Sequence, residues 1–351
     1  MSQEILFFSL FILFVVVVLA LDLGLFSKGK DHVSFRNALG WTAVWVSFAF
    51  GFFFLLGYNG AGLLHGVENN EELKALAGQY QPDFKFLSED FEINSRLYNQ
   101  RISIDFITGY FIEYSLSIDN LFVILLIFSS FAVPAPYYKK VLFWGVLGAI
   151  VMRMLFIFIG AALIASFSWV LYVFGGFLIF SGLKILFSKS DGDKMDVNKH
   201  PVVRFMSKYF AVWKTYDKGK FFTIQNGKKY LTPLFIVVLV VEFSDLVFAV
   251  DSVPAIFSVT KDPYIVFFSN IFAIMGLRSL FFLLNNVMHI FTYLKYGLGV
   301  LLAFIGVKML FEHWFASIGF NNVISLFIIL SILAVSVILS LLFPAAKKIN
   351  G

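Results

Sequence analysis

Five carboxylates stand where carboxylates are rare, inside long apolar runs. Glu113 and Asp119 interrupt one run, about residues 103–131; Glu242, Asp245 and Asp251 interrupt another, about 231–258. An ionised acid at a helix centre in a bilayer costs roughly 2.5–3.5 kcal/mol. Five with no compensation would cost about 12–17 kcal/mol, more than a typical domain's stability. Arg153 and Arg278, also within apolar runs, can offset two of the five charges. A divalent cation with one or two protons would balance the rest. Crowded acids are expected to hold protons when the cation is absent, which gives a physical basis for exchanging metal against protons.

Ligand type narrows the cation. Carboxylates beside amide and hydroxyl oxygens are hard ligands suited to magnesium, calcium or manganese. The five His residues are scattered and cysteine is absent, so the zinc or copper pattern is missing. The expected metal site is Glu113, Asp119, Asn120, Glu242, Asp245, Asp251 and Ser252. Ser117, Arg153 and Arg278 are expected to balance charge or support it. The cation is expected as cargo, with no permanent cofactor.

Helical geometry groups these residues. At about 100° per residue, Glu113, Ser117 and Asn120 share one face, as do Asp245, Ala249 and Ser252. Asp119 and Asp251 are rotated by roughly 120° from the acid before them. They join the same site only if the helix loosens or the other copy presents the complementary face. Pro254 lacks an N–H and frees the Val250 carbonyl, so a helix break is expected there. Asn285, Asn286 and His289 are expected equally to tie helices together or to support the site's ligands. Asp22 and Asp105, near helix ends, are expected to snorkel or to be hydrated at the interface.

The elements that carry these groups must lie in lipid. Of the 351 residues 60% are hydrophobic and 14% charged, against about 25% charged in soluble domains. That excludes an ordinary water-soluble enzyme, and no nucleophile–base set or nucleotide loop is visible. The expected fold is an all-α polytopic membrane protein. A span needs about 20 apolar residues. Nine stretches qualify, near 4–26, 38–64, 103–131, 138–166, 168–187, 231–258, 264–292, 294–312 and 321–343.

Basic residues orient these spans. With the N-terminus outside and the C-terminus inside, inner segments carry eighteen Lys and Arg and outer segments five; positive charge favours the cytoplasm. The multi-pass chain is expected in the cell (inner) membrane. Residues 1–64 hold two helices, and 65–102 form an acidic outer loop. The basic inner loop 188–230 is expected to meet anionic lipid rather than nucleic acid. Residues 313–351 form a final helix and tail.

Residues 103–187 and 231–312 repeat one pattern. Glu113 precedes Asp119 by six positions and Asn120 follows; Asp245 precedes Asp251 by six and Ser252 follows. Each copy then carries one Arg, Arg153 or Arg278. Each ends in a Gly-rich stretch, Tyr172–Phe187 or Tyr296–Phe311, with Lys184 and Lys308 in register. Three spans per copy is an odd number, so the copies enter the bilayer from opposite sides. A 3+3 inverted repeat places a substrate site near the midplane.

The pieces Glu113-x5-Asp119-Asn120 and Glu242-x2-Asp245-x2-Phe248-Ala249-Val250-Asp251-Ser252-x-Pro254-Ala255 resemble the TerC family of integral membrane proteins. The length and Leu21-Asp22-Leu23-Gly24 are similar to its Alx branch. The resemblance implies metal homeostasis, particularly manganese export, with the family's acids on Glu113, Asp119, Glu242, Asp245 and Asp251 and neutral partners at Asn120 and Ser252. Members are also linked to metal supply for exported enzymes. The expectation is therefore Mn2+ efflux through a midplane carboxylate site, with proton or voltage coupling. The alternatives are an exporter of a small organic solute and a membrane scaffold supplying metal to secreted proteins.

Overall fold

The computed structural model describes residues 3–27, 35–166, 169–187, 201–225, 227–287, 293–318, 320 and 322–343. The helices of the first half are α1 Gln3–Ser27, α2 Phe35–His65, α3 Asn70–Tyr80, α4 Phe91–Ser130, α5 Tyr138–Ser166 and α6 Trp169–Phe187. A short helix, α7 Pro201–Tyr209, and an antiparallel hairpin, β1 Phe222–Gln225 with β2 Lys228–Leu231, join the halves. Then come α8 Pro233–Phe257, α9 Pro263–Met275, α10 Leu277–Val287, α11 Leu294–Leu310, α12 Glu312–Ser317 and α13 Asn322–Leu342.

Among the described residues, four helices are long and apolar enough to cross a bilayer: Phe35–His65, Ala135–Leu163, Pro233–Phe257 and Ile324–Leu342. The α9–α10 pair is a fifth if counted as one broken span. Shorter apolar helices cover Ile5–Val18, Gly175–Phe187 and Tyr296–Leu310. Large apolar side chains point outward, with Phe54, Phe180 and Phe327 each more than 60% exposed. Such a surface suits lipid rather than water.

Three expectations need correction. The apolar run at 264–292 is not one helix: it breaks at Gly276, and the two halves meet at 40°. The break foreseen at Pro254 does not occur, because α8 stays helical through it to Phe257. The residues at 65–102 are not simply loop. Asn69 caps α3 by accepting from the Glu71 and Glu72 amides, and Asp90 caps α4 by accepting from the Glu92 amide, as short polar side chains do at helix starts. At 1.5 Å per residue α4 is about 60 Å long, twice a bilayer's apolar thickness, so no such layer could enclose all of it upright.

Two packing devices hold the site in place. Phe11 of α1, Phe52 of α2, Phe106 of α4 and Phe268 and Phe272 of α9 form a ring cluster, with Phe11–Phe268 centroids 4.5 Å apart and Phe52–Phe106 5.0 Å apart. The second device is glycine. Helices α6 and α11 run antiparallel and pack together most extensively of all pairs. A Cβ on Gly182 would lie 2.5 Å from the Gly299 carbonyl oxygen, and one on Gly306 would lie 2.6 Å from that of Gly175. Only glycine permits that backbone approach.

Candidate functional site

The centre of the bundle is organised by one arginine. Arg153, from the middle of α5, is 1% exposed. Its guanidinium forms a salt bridge with the Glu113 carboxylate of α4 and lies 3.4 Å from Asp245 Oδ1 of α8. It also donates to Ser252 Oγ at 3.0 Å and to Asn270 Oδ1 of α9 at 2.6 Å. Four helices thus converge on one cation.

The flanking bonds follow from helix periodicity. Ser117 Oγ, one turn after Glu113, donates to Glu113 Oε1 at 3.0 Å. Asn120, on the same face, reaches across and donates from Nδ2 to Asp245 Oδ1 at 2.8 Å. Asp245 and Ser252, seven residues apart on α8, both meet the guanidinium. The structure therefore brings together Glu113, Ser117, Asn120, Arg153, Asp245 and Ser252.

The other expected members behave differently. Glu242 is half-buried and points its carboxylate into the notch of Gly148 on α5, where a Cβ would meet both carboxylate oxygens at 2.1 Å. It sits beside the cluster and is not bonded to Arg153. Arg278 is buried on α10 and is not among the groups bonded to Glu113, Asp245 or Arg153. The side chains of Asp22, Asp119, Asp251 and Asn286, and the whole of His289, lie outside the described residues.

Three oxygens in the cluster have no hydrogen-bond partner: Glu113 Oε2, Asp245 Oδ2 and Asn120 Oδ1, all buried. Buried acceptors without partners are costly, and each one calls for an explanation. Two carboxylates face one guanidinium, so the described cluster carries one net negative charge. The unused groups are hard oxygen donors, which fit magnesium, calcium or manganese. Among the described residues no group of three or more His, Asp or Glu is arranged to hold a metal. A cation here would draw on two acids with amide and hydroxyl oxygens.

Sequence reasoning missed Asn270. Ser269 and Asn270 are the polar pair of an otherwise apolar α9, and that isolation was the available signal. A second polar cluster also escaped notice. His65 Nε2 lies 2.8 Å from Asp262 Oδ2, and Asp262 Oδ1 caps α9 by accepting from the Tyr264 amide. Asp105 is not hydrated as expected. It is 1% exposed and accepts from Gln81 Nε2 at 2.9 Å. Burial first, then the charges of Asp262 and Asp105, push the Tyr98 phenol above its ordinary ionisation range. This cluster lies about 12 Å along α4 from Glu113, eight residues away.

The description "Integral membrane protein TerC family" matches residues 98–348. The "Uncharacterized membrane protein STKORF319" of Myxococcus xanthus is 42% identical over 335 residues, 95% of this chain and 91% of that protein. The "Putative membrane-bound redox modulator Alx" of Salmonella typhi is 40% identical over 331 residues, 94% of this chain and 92% of that protein. The protein of the same description in Escherichia coli (strain K12) is 41% identical over 306 residues, 87% and 85% respectively. No solved structure matches the chain. With the matched segment spanning both acid-bearing helices and all the groups bonded to Arg153, the chain belongs to the TerC family of integral membrane proteins.

Proposed function

We propose that the chain is a transporter, not an enzyme, and moves a hard divalent cation out of the cell across the inner membrane, with manganese as the cargo. The carrying observation is the set of unpartnered oxygens on Glu113, Asp245 and Asn120 inside a buried cluster of net negative charge. In this reading nine spans cross the bilayer with the N-terminus outside, and Asp119, Asp251 and Glu242 complete the ion's path. The inverted-repeat reading draws support from the glycine contacts. Gly175 and Gly299 occupy equivalent positions in the two copies, as do Gly182 and Gly306. The contacts run Gly175–Gly306 and Gly182–Gly299, the crossed pattern of a two-fold relation. Transporters built this way hold substrate at the interface of the copies.

The description of the relatives as redox modulators fits the same reading. A chain without cysteine has no thiol chemistry of its own, so an effect on redox state would pass through the metal it moves. The test is Mn2+ flux in proteoliposomes, with a pH gradient imposed and then collapsed. Wild-type protein is expected to move Mn2+, and Asp119→Asn, Asp251→Asn and Asp245→Asn to abolish flux while the proteins still insert. Absence of Mn2+ flux in the wild type, with movement of an organic solute, would transfer the assignment to the solute exporter.

A further inference from the structure

The Arg153 guanidinium is held by two carboxylates and a hydroxyl, oxygens of the kind a hard divalent cation would use, and is anchored besides by the Asn270 amide of α9. Resting on the cation-transport reading above, we propose that Arg153 is a tethered stand-in for the cargo. It fills the pocket between loads, and an incoming cation binds by displacing it.

Within the three groups that bond one another, charge favours displacement over coexistence. Glu113, Asp245 and Arg153 sum to one negative charge. A divalent ion added beside the guanidinium would leave one net positive charge on these three bonded groups. Withdrawal of the guanidinium leaves none. Shape points the same way. The guanidinium engages Glu113 Oε1 and Asp245 Oδ1, while Glu113 Oε2, Asp245 Oδ2 and Asn120 Oδ1 stay unused. A planar fork meets oxygens in its own plane, whereas a spherical ion with six or more ligand positions can take those out of it. The cluster thus offers more oxygen than arginine can use.

This arrangement has a functional consequence. Without cargo, two buried carboxylates would return through the bilayer uncompensated unless each took up a proton; with Arg153 in place they return nearly neutralised. Net efflux, which needs an empty return, depends on Arg153. Exchange of Mn2+ for Mn2+, which never returns empty, does not.

Asn270 gives the cleanest test, because it holds the guanidinium at 2.6 Å and is no carboxylate. In the purified full-length protein in detergent, equilibrium binding of 54Mn2+ is compared between wild type and Asn270→Ala. Loss of one hydrogen bond to a charged group should loosen the internal competitor and tighten Mn2+ binding by about tenfold. Arg153→Gln should tighten it further, and in proteoliposomes abolish net efflux while sparing exchange; Arg153→Lys should restore part of the net efflux. If Arg153→Gln does not fold, Asn270→Ala still decides. Unchanged or weaker binding by Asn270→Ala, with normal wild-type binding, overturns the stand-in role and leaves the transport reading intact. No Mn2+ binding by wild type overturns both.

Discussion

Replacing Gly182 by alanine puts a methyl 2.5 Å from the Gly299 carbonyl oxygen and 2.7 Å from the Ala303 amide nitrogen. A carbon sits comfortably against a carbonyl oxygen at about 3.3 Å or more, so the shortfall is about 0.8 Å. Both obstructing atoms are backbone, and neither can rotate away. Helices α6 and α11 must part, at a cost of about 1–3 kcal/mol for overpacking. Gly176, on the same helix, has nothing within 4 Å of its would-be Cβ. Alanine there brings only the gain in helix propensity, up to about 1 kcal/mol. That gain is common to both sites and cancels between them, so Gly182→Ala and Gly176→Ala should differ by about 1–3 kcal/mol. Thermal unfolding in detergent at fixed scan rate, followed by tryptophan fluorescence, should place Gly182→Ala about 2–6 °C below Gly176→Ala. Gly306→Ala, 2.6 Å from the Gly175 carbonyl, should fall with Gly182→Ala. Equal melting temperatures for Gly182→Ala and Gly176→Ala would refute the close-packed seam.

Gly148→Ala should act on flux rather than stability. Its methyl would displace only the flexible end of Glu242, so melting should move by less than about 1 kcal/mol, while Mn2+ flux drops if Glu242 lines the path. Undiminished flux would remove Glu242 from it. Tyr216 supplies a pH dependence. Burial first, then Tyr138, pushes its phenol up to about 12, and an exposed tyrosine ionises near pH 10. Between those values the folded state holds a proton the unfolded state has lost, so stability falls as pH rises from about 10 to 12. Tyr216→Phe should flatten that alkaline decline. It should also cost about 0.5–1.5 kcal/mol through the lost bond to the Phe131 carbonyl at 2.8 Å. An unchanged alkaline slope would show that Tyr216 is not its source.

What the sequence disclosed follows its periodicities. Glu113, Ser117 and Asn120 fall on one helical face at about 100° per residue, and the structure turns that face toward Asp245. Asp245 and Ser252 were placed together by the same rule and meet the same guanidinium. What escaped was long-range. His65 and Asp262 are 197 positions apart, and no local pattern links them. Asn270 was hidden because one amide in an apolar helix gives no spacing to read. The bend at Gly276 lies in an unbroken apolar run, where glycine alone does not distinguish a joint from close packing. Pro254 misled for a related reason: it removes the bond its N–H would give the Val250 carbonyl, but α8 stops three residues later, so little helix lies beyond it to be turned aside.

That bend has a mechanical consequence. Helix α5, which carries Arg153, is one rod of 29 residues, and the apolar run that carries Arg278 is two shorter pieces joined at Gly276. On the proposed inverted-repeat reading the two halves exchange shapes, and then the rod flexes or the joint straightens. Gly276 already has near-helical angles, φ −77° and ψ −14°, so straightening asks little of the chain, while flexing α5 would strain an intact ladder. The two Arg-bearing elements therefore differ in stiffness: α5 is a continuous rod, and the joint at Gly276 can change its angle at small backbone cost, so a change of shape at this seam is expected at the joint rather than in the rod.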